Sequence, residues 1–360
     1  MFGRRSVAAR SPRAASQRIG GARQPPRRSA GRRAVLVVLT GVLVSAVTLA
    51  IIEVGARARG YAPRRLAVRP EPPIHAPDPV LGWRPLPGHY TFGPYSSEAA
   101  PVQVTVRPDG ARDAGSGPAR GRPQVLLVGC SFTFGWAVSD DQTWAWRLQE
   151  LRPDVEVVNH GVGGYSTYQA LLTLEDLLNR GAPPPARVLY GFIDHSLRNV
   201  AAPLWLWALS FNPHTIATPY CTLDPDAHLV RHPPEAYPSL PLHQELASVA
   251  AIESAVLQRR AGNRQRMAER VTKLLLDEMA ALCRQHGVGF SLVVLSIPKH
   301  VEATYVSFAE QHGIDVIDCN QQPTIDEIVP GEAHPNRVVH HRWGDCIAAA
   351  LAQPDRLPPL

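Results

Sequence analysis

The sequence has few cysteines and almost no lysines, and what it lacks limits the function it can have. Five cysteines occur among 360 residues, at positions 130, 221, 283, 319 and 346, and no two are spaced as Cys-x-x-Cys. Structural zinc sites are usually built from such pairs, so we predict neither a metal site nor a cofactor. In an oxidising compartment these cysteines would be able to form one or two disulfides, whose pairing the sequence leaves open.

Acidic residues are absent from the first 33 residues, which carry ten arginines. The net charge of +6 therefore belongs to this segment, because the rest of the chain has 27 basic and 31 acidic residues. The remainder lacks the excess of basic residues typical of a nucleic-acid-binding domain, so we predict no nucleic-acid partner. Residues 1–33 are predicted to form a basic, disordered cytoplasmic tail that is able to touch anionic lipid headgroups.

Charged residues are also absent from residues 34–52, which follow Arg32 and Arg33. Nineteen helical residues are about long enough to cross the hydrocarbon core of a bilayer. We predict a transmembrane signal-anchor over residues 34–54, with the N-terminus cytoplasmic and the chain after residue 57 exported to the periplasm or cell exterior. Three alternatives remain: a signal cleaved after Ala-Arg-Ala at 56–58, a twin-arginine signal, and a buried core helix.

Regular apolar patterns are scarce between residues 55 and 120, where proline, glycine and arginine are frequent. This composition predicts a linker and a strap over the domain surface. Residues 102–106 alternate apolar and polar side chains and are predicted to form a short strand. The Asp-Pro-Val-Leu-Gly-Trp segment at 78–83 stands out, although its residue types indicate no particular chemistry.

From residue 123 onward, short apolar runs alternate with helical patterns. Buried strands are predicted at residues 125–128, 155–159, 188–192, 290–295 and 316–318. Helices are predicted at residues 141–151, 167–179, 253–286, 301–312 and 335–351. The connections are too long for hairpins, so the pattern predicts a three-layer α/β/α sandwich with a parallel, flavodoxin-like sheet of about five strands, preceded by the transmembrane helix.

This α/β domain is predicted over residues 121–355, and residues 201–245 interrupt its alternation. The interruption contains Trp205, Trp207, Phe211, Tyr220 and Tyr237 among eight prolines. We interpret it as an insertion. It is either a packed surface loop or a cap that shapes a pocket for an acyl group or a sugar.

Three motifs lie where strands of this sheet are predicted to end, the edge at which parallel sheets bind ligands. Ser131 follows the first strand in Gly-Cys-Ser-Phe, and a serine hydroxyl becomes a nucleophile when a base takes its proton. This is not the Gly-x-Ser-x-Gly elbow of α/β-hydrolases, because Thr133 occupies the second glycine position. The second motif, Asn-His-Gly-Val-Gly-Gly-Tyr at 159–165, follows the second strand; we call it the glycine loop. Its glycines let backbone N–H groups approach a developing oxyanion.

The third motif is Glu-Ala-His-Pro at 332–335, at the start of the last helix. A histidine two residues from a carboxylate makes a compact unit of base and orienting group. The three motifs in this order resemble the SGNH/GDSL hydrolase superfamily over roughly residues 123–352, as a membrane-anchored, exported bacterial member. The resemblance implies Ser131 as nucleophile, His334 as general base and Glu332 as its acidic partner. It also implies that the N–H groups of Ser131 and Gly164 form part of the oxyanion hole.

Three positions depart from the family pattern. Cys130 replaces the aspartate of the first block, so the turn must be held differently, and Cys130 itself is a rival nucleophile. Glu332 replaces an aspartate and is chemically equivalent. In the third block, Gly-Phe-Ile-Asp-His at 191–195, Ile193 replaces the oxyanion-hole asparagine, and losing one such donor costs on the order of 10²–10³ in rate. The candidates to replace it are Asp194, His195 or Asn199.

These features predict a serine esterase that hydrolyses a small-molecule or glycan ester through an acyl-enzyme. The acyl group would be carried by a glycan or a lipid, because the domain is expected to be exported. Two alternatives stay open: an O-acyltransferase with the same Ser and His, and a degenerate protein that binds a glycan or a partner without turnover. The sequence does not determine the oligomeric state.

Overall fold

The computed structural model describes residues 28–63, 73–97, 99–117, 121–201, 217–236, 240–353 and 356–357. The chain divides into two compact units, residues 1–59 and residues 60–360. In the first unit, helix α1 spans Arg28–Ala58, and residues 31–58 are long and apolar enough to cross a membrane, a test that a signal sequence also meets. Most of the predicted tail, residues 1–27, lies outside the described residues. Near the end of α1, Arg57 Nε lies 2.7 Å from Glu53 Oε1.

The second unit is organised around five parallel strands. Their order across the sheet is β11-β10-β7-β5-β6, and their bounds are Gln124–Gly129 (β5), Glu156–Gly161 (β6), Arg187–Ile193 (β7), Gly289–Ser296 (β10) and Asp315–Asp318 (β11). When the five parallel strands are numbered along the chain and read from the β6 edge, the order is 2-1-3-4-5, which is the flavodoxin-like order. Every residue of β7 is buried, so the centre of the sheet is covered on both faces. The predicted fold class is confirmed.

The helices of this unit lie between its strands, as the alternating pattern predicts. Their bounds are Ser131–Phe134 (α2), Trp144–Leu151 (α3), Thr167–Asn179 (α4), Ala247–Gln265 (α5), Ala268–Gln285 (α6), Lys299–Gln311 (α7) and Arg337–Leu351 (α8). Short 3-10 turns occupy Asp140–Gln142, Ser196–Asn199 and Ile325–Glu327. Helix α3 packs against α8, and α4 packs against α6.

One helix prediction is wrong: residues 253–286 do not form a single helix. The chain turns between α5 and α6, where Met267 N–H donates to Arg264 O at 3.1 Å. Helix α6 buries a regular stripe that includes Val271, Leu275 and Met279. The end of α5 is rich in arginine and contains Gly262, so it has no apolar stripe to continue that face across the turn.

Two antiparallel hairpins precede the sheet. Strands His75–Asp78 (β1) and Gly82–Pro85 (β2) form the first, and Gly88–Phe92 (β3) and Val102–Val106 (β4) form the second. The strand predicted at residues 102–106 is thereby confirmed. We call the described part of this region, residues 73–97 and 99–117, the strap. Arg112 N–H donates to Asn159 O at 2.8 Å, so the strap pairs with the outer strand β6.

The predicted insertion contains a third hairpin, made by Ala217–Leu223 (β8) and Leu229–Ala236 (β9). Residues 202–216 and 237–239, which include Trp205, Trp207, Phe211 and Tyr237, lie outside the described residues. The cap remains a prediction, as do the domain boundaries.

A disulfide joins Cys319, which follows β11, to Cys346 in α8. Cys130, Cys221 and Cys283 are buried free thiols. The covalent link therefore connects the end of the last strand to the helix that follows the Glu-Ala-His-Pro motif.

Candidate active site

Ser131 begins a helix of one turn at the carboxyl end of strand β5. Gly129, the last residue of the strand, has a φ of +154°, and a Cβ built on it would lie 2.2 Å from Thr133 Oγ1. Only glycine fits this tight passage from strand to helix. Ser131 is buried to 7% exposure. The backbone turn thus places the hydroxyl at the strand end, as its sequence position predicts.

The carbonyl oxygens of helix α2 and the turn after it are bound by side chains from three other parts of the chain. Trp144 Nε1 donates to Phe132 O at 3.0 Å, and Asn159 Nδ2 donates to Thr133 O at 2.8 Å. Arg112 donates to the carbonyl oxygens of Phe134, at 2.9 Å, of Gly135, and of Val138, at 2.7 Å. A single turn cannot satisfy these carbonyls internally, so the three side chains replace the missing helix.

Arg112 is the centre of this arrangement. Its side chain is completely buried, and its Nε lies 3.0 Å from Asp140 Oδ1. The same carboxylate oxygen accepts the Thr105 N–H at 3.1 Å, and the guanidinium carbon lies 4.8 Å from the centre of the Phe134 ring. The strap is therefore joined to the nucleophile helix through one buried cation and its carboxylate.

Cys130, the rival nucleophile, precedes Ser131 as the N-cap residue of α2, and its side chain makes no capping hydrogen bond. Burial raises the pKa of its thiol, which keeps it protonated near neutral pH. A buried neutral thiol is a poor nucleophile. The carbonyl side of the turn is held by Arg112, Trp144 and Asn159.

His334 lies against Ser131. Its Nε2 is 3.0 Å from Ser131 Oγ, a hydrogen-bond distance across 203 residues of sequence. Its Nδ1 lies 3.5 Å from Glu332 Oε2 and makes no hydrogen bond within the described part of the chain. Contacts of this kind are often long without substrate and shorten when it binds. The structure brings the three predicted residues together in the order nucleophile, base and carboxylate.

The loop that carries His334 is fixed by its own backbone. Val329 N–H donates to His334 O at 2.9 Å, and Asn336 N–H donates to Glu327 O at 2.7 Å. Asn336 then caps α8 through its side chain, which accepts the Val338 N–H at 2.9 Å. The imidazole of His334 therefore extends from a short loop that hydrogen bonds hold in place directly before helix α8.

Two half-buried aromatic rings flank the imidazole. The Phe132 ring centre lies 5.7 Å from that of His334, in an edge-to-face arrangement, and the Trp136 ring centre lies 6.4 Å away. Trp136 also stacks on the buried His75 of the strap at 6.5 Å. The imidazole of His334 thus has apolar walls formed by the turn that carries Ser131.

The glycine loop follows β6 and packs against the nucleophile helix. Val162 N–H donates to Gly129 O at 3.0 Å, and a Cβ on Gly161 would lie 2.5 Å from the Phe134 nitrogen. Gly164 has a φ of +85°. Among the described residues, no backbone carbonyl accepts the Gly164 N–H. The amide predicted as an oxyanion donor therefore lies on a loop that touches the nucleophile strand.

The third block does not contain a simple replacement for the asparagine. Ile193 ends β7 and is buried. Asp194 is exposed and accepts the Ser196 N–H at 3.2 Å. Asn199 is buried, and its amide donates to Thr167 at 3.1 Å and to Thr272 at 2.7 Å, so both of its N–H groups are engaged in holding helices α4 and α6.

His195 differs from the other two candidates. Its Nε2 is buried and has no hydrogen-bond partner in the part of the chain that the structure describes. Burial lowers the pKa of His195 well below its usual value, and the nearby charges of Arg198 and His334 lower it further. A neutral imidazole with an unoccupied nitrogen near the base is the best placed of the three predicted groups.

Three residues with clear contacts at this site were missed by sequence reasoning. Arg112 and Trp83 belong to the strap, and Arg198 lies on the 3-10 turn after β7. Arg198 Nη1 donates to Tyr165 O at 3.3 Å, and burial lowers its pKa to about 10. The fully buried indole of Trp83 contacts the glycine loop. Their only sequence signal is bulky side chains in segments of otherwise irregular composition.

A group of potential metal ligands occurs away from this site. Asp224, Asp226 and His228 lie close together in the exposed turn between β8 and β9. The Asp224 carboxylate accepts the N–H groups of Asp226 and His228 at 2.9 and 2.8 Å, which explains the cluster as turn chemistry.

No family model matches the sequence, and no curated protein matches it. Solved structures do resemble the fold. A member of the lipolytic protein G-D-S-L family from Veillonella parvula is 13% identical, with a TM-score of 0.39, over 65% of this chain and 99% of that one. The esterase EstA from Pseudoalteromonas is 12% identical, with a TM-score of 0.37, over 64% and 98%. Similarity at this level concerns the fold alone.

Arg112→Lys is expected to lower the free energy of unfolding by about 2–4 kcal/mol. A lysine keeps the charge, but it cannot bind three carbonyls and a carboxylate at once, which leaves buried acceptors unsatisfied. Urea denaturation of the full chain, monitored through the unfolding of residues 60–360, measures this free energy. The control is Arg152→Lys, because Arg152 pairs with Asp154 at a partly exposed position and should change stability by less than about 1 kcal/mol. Equal midpoints for both variants would show that Arg112 does not hold the helix.

Proposed function

We propose that this protein is a serine esterase of the SGNH/GDSL type, anchored in a membrane with its catalytic domain exported. The 3.0 Å contact between Ser131 Oγ and His334 Nε2, with Glu332 behind the imidazole, is the observation that supports it most directly. A degenerate binding protein would have no need to keep a hydroxyl and an imidazole from distant parts of the chain at hydrogen-bond distance. We therefore favour the enzyme over the binding protein.

In the proposed reaction, Ser131 Oγ attacks the ester carbonyl carbon while its proton passes to His334 Nε2. Glu332 stabilises the imidazolium that forms. The oxyanion accepts hydrogen bonds from the N–H groups of Ser131 and Gly164. The intermediate collapses, the alcohol leaves with the proton from His334, and an acyl group remains on Ser131. Water then attacks this acyl-enzyme with the same base and restores the free hydroxyl.

We further propose that the substrate is an O-acyl group on a glycan or a lipid. The half-buried rings of Phe132 and Trp136 beside His334 offer apolar surface for the ring or chain that bears the ester. The disulfide between Cys319 and Cys346 supports an oxidising compartment, where such bonds persist, and thus an exported domain.

A serine-reactive fluorophosphonate probe tests the activity. We expect the wild-type protein to be labelled covalently, because the probe reacts with a serine whose proton is taken by a neighbouring base. Ser131→Ala should abolish the labelling completely, whereas Cys130→Ser should retain it. In-gel fluorescence with intact-mass analysis measures both. Folded wild-type protein that stays unlabelled would overturn the proposed esterase.

Glu332→Gln tests the acidic partner. The amide cannot stabilise the imidazolium, so the rate of hydrolysis of p-nitrophenyl acetate should fall on the order of 10²–10⁴-fold while the protein stays folded. Circular dichroism checks the fold. Asp194→Asn is the matched control and should change the rate by less than about twofold, since Asp194 is exposed and bonds its own turn. An unchanged rate in Glu332→Gln would remove Glu332 from the mechanism.

Membrane fractionation tests the anchor. The full-length chain should stay in the pellet after alkaline carbonate extraction, because a helix that spans the bilayer is held by the hydrophobic effect rather than by charge. A chain that begins at residue 60 should be soluble. Release of the full-length chain by carbonate, or recovery of a form that lacks residues 28–58, would exclude the signal-anchor and support a cleaved signal instead.

A further inference from the structure

The side chain of Trp83 connects the strap to the glycine loop through a buried hydrogen bond. Its side chain has no solvent exposure, and its Nε1 donates to Gly163 O at 3.0 Å. The oxygen that it binds belongs to the peptide between Gly163 and Gly164. The same peptide carries the Gly164 N–H, which is the proposed oxyanion donor.

This peptide is the middle of a tight turn. Tyr165 N–H donates to Val162 O at 3.2 Å, so residues 162–165 form a β-turn with two glycines at its centre. Gly164 has a φ of +85°, the value required at the third position of a type II turn. A type I turn differs mainly by a rotation of the central peptide, which reverses the directions of its C=O and N–H.

Two adjacent glycines tolerate either turn, because neither has a Cβ to oppose the rotation. The loop sequence alone therefore leaves the direction of the Gly164 N–H unspecified. In a trans peptide the C=O and the N–H point to opposite sides. A donor bound to Gly163 O on the strap side consequently directs the Gly164 N–H away from the strap.

The backbone that carries the indole is also held by the glycine loop and by helix α4. Tyr165 donates its hydroxyl to Trp83 O at 2.5 Å, and the two rings meet edge to face at 5.5 Å. Gln169 Nε2 donates to Leu81 O at 2.8 Å, which ties the β1–β2 turn to helix α4. Strap and loop are thus fixed by each other in more than one place.

We propose that Trp83 is a positioning residue, which selects the type II turn and so aims the Gly164 N–H at the oxygen that becomes charged during the reaction. This rests on the proposed function. It gives the Asp-Pro-Val-Leu-Gly-Trp segment of the strap a role in the chemistry. The hydrogen bond from the indole also polarises the peptide, which strengthens its N–H as a donor.

An interaction that acts only on the charged oxygen should change the rate of reaction and not the binding of the reagent. For Trp83→Phe we expect the maximal rate of fluorophosphonate labelling to fall at least about tenfold, since loss of a whole oxyanion donor costs about 10²–10³. The concentration of probe that gives half this rate should stay within about twofold of wild type. A purely structural defect would not lower the maximal labelling rate while leaving the half-saturating probe concentration unchanged.

Trp343→Phe is the matched control. Trp343 is also completely buried, and its Nε1 donates to a backbone carbonyl, that of Leu295, at the same 3.0 Å. Both variants should lose similar stability in urea, but Trp343→Phe should keep its maximal labelling rate within about twofold. Equal labelling by folded Trp83→Phe and wild type would overturn the inference, while absent labelling of wild type would overturn the proposed function.

A second variant changes the same peptide without altering Trp83. Gly164→Ala disfavours the positive φ, so it should also lower the maximal labelling rate. Combined with Trp83→Phe it should add little further loss, because both changes release the same turn. Full additivity would contradict the inference. If Trp83→Phe does not fold, Tyr165→Phe removes the hydroxyl that holds Trp83 O and keeps both rings. An unchanged rate in that variant would contradict the inference too.

Discussion

A helix of one turn leaves its carbonyl oxygens without internal partners, and Ser131 stands on such a helix. The donors that satisfy these oxygens come from the strap through Arg112, from strand β6 through Asn159 and from helix α3 through Trp144. Ser131 is therefore located by three separate segments of the chain. The buried guanidinium contributes most, because it binds several carbonyls at once and is neutralised by Asp140. The base belongs to the same assembly, since helix α8, which follows His334, packs on α3.

The sheet and the meeting of the three motifs were predictable from the sequence for a physical reason. Apolar runs such as residues 125–128 and 188–192 are long enough only for buried strands, and the spacing between them requires helical crossovers. Parallel strands place their carboxyl ends at one edge, so Ser131 and the glycine loop had to approach each other. The position of His334 followed less directly, because it depends on the path of the loop after β11. It was inferred from resemblance rather than from geometry.

The residues that sequence reasoning missed share one property: they act on backbone groups. Arg112 binds carbonyl oxygens and Trp83 binds the Gly163 carbonyl, and a backbone acceptor leaves no trace in the side-chain pattern. Their segment also has the composition of a linker, in which an arginine is expected to be solvated. The break at Met267 was missed because all 34 residues have the composition of a helix. Only the apolar stripe, which is present in α6 and absent from the end of α5, marks the boundary. In the third block, Ile193 could be recognised as a departure, but its replacement depends on how the 3-10 turn folds.

The disulfide between Cys319 and Cys346 encloses both Glu332 and His334 in a loop closed over a separation of 27 residues. In a chain-entropy description, closing a loop of that size removes conformations from the unfolded chain that amount to about 3.5 kcal/mol. The bond thus stabilises the folded loop that carries Glu332 and His334 relative to the unfolded chain, and the reducing cytoplasm does not support such a bond. A polypeptide still on the cytoplasmic side would hold this loop more loosely than the oxidised one. With the domain exported as proposed, the chain would gain this stabilisation only after it has left the cytoplasm.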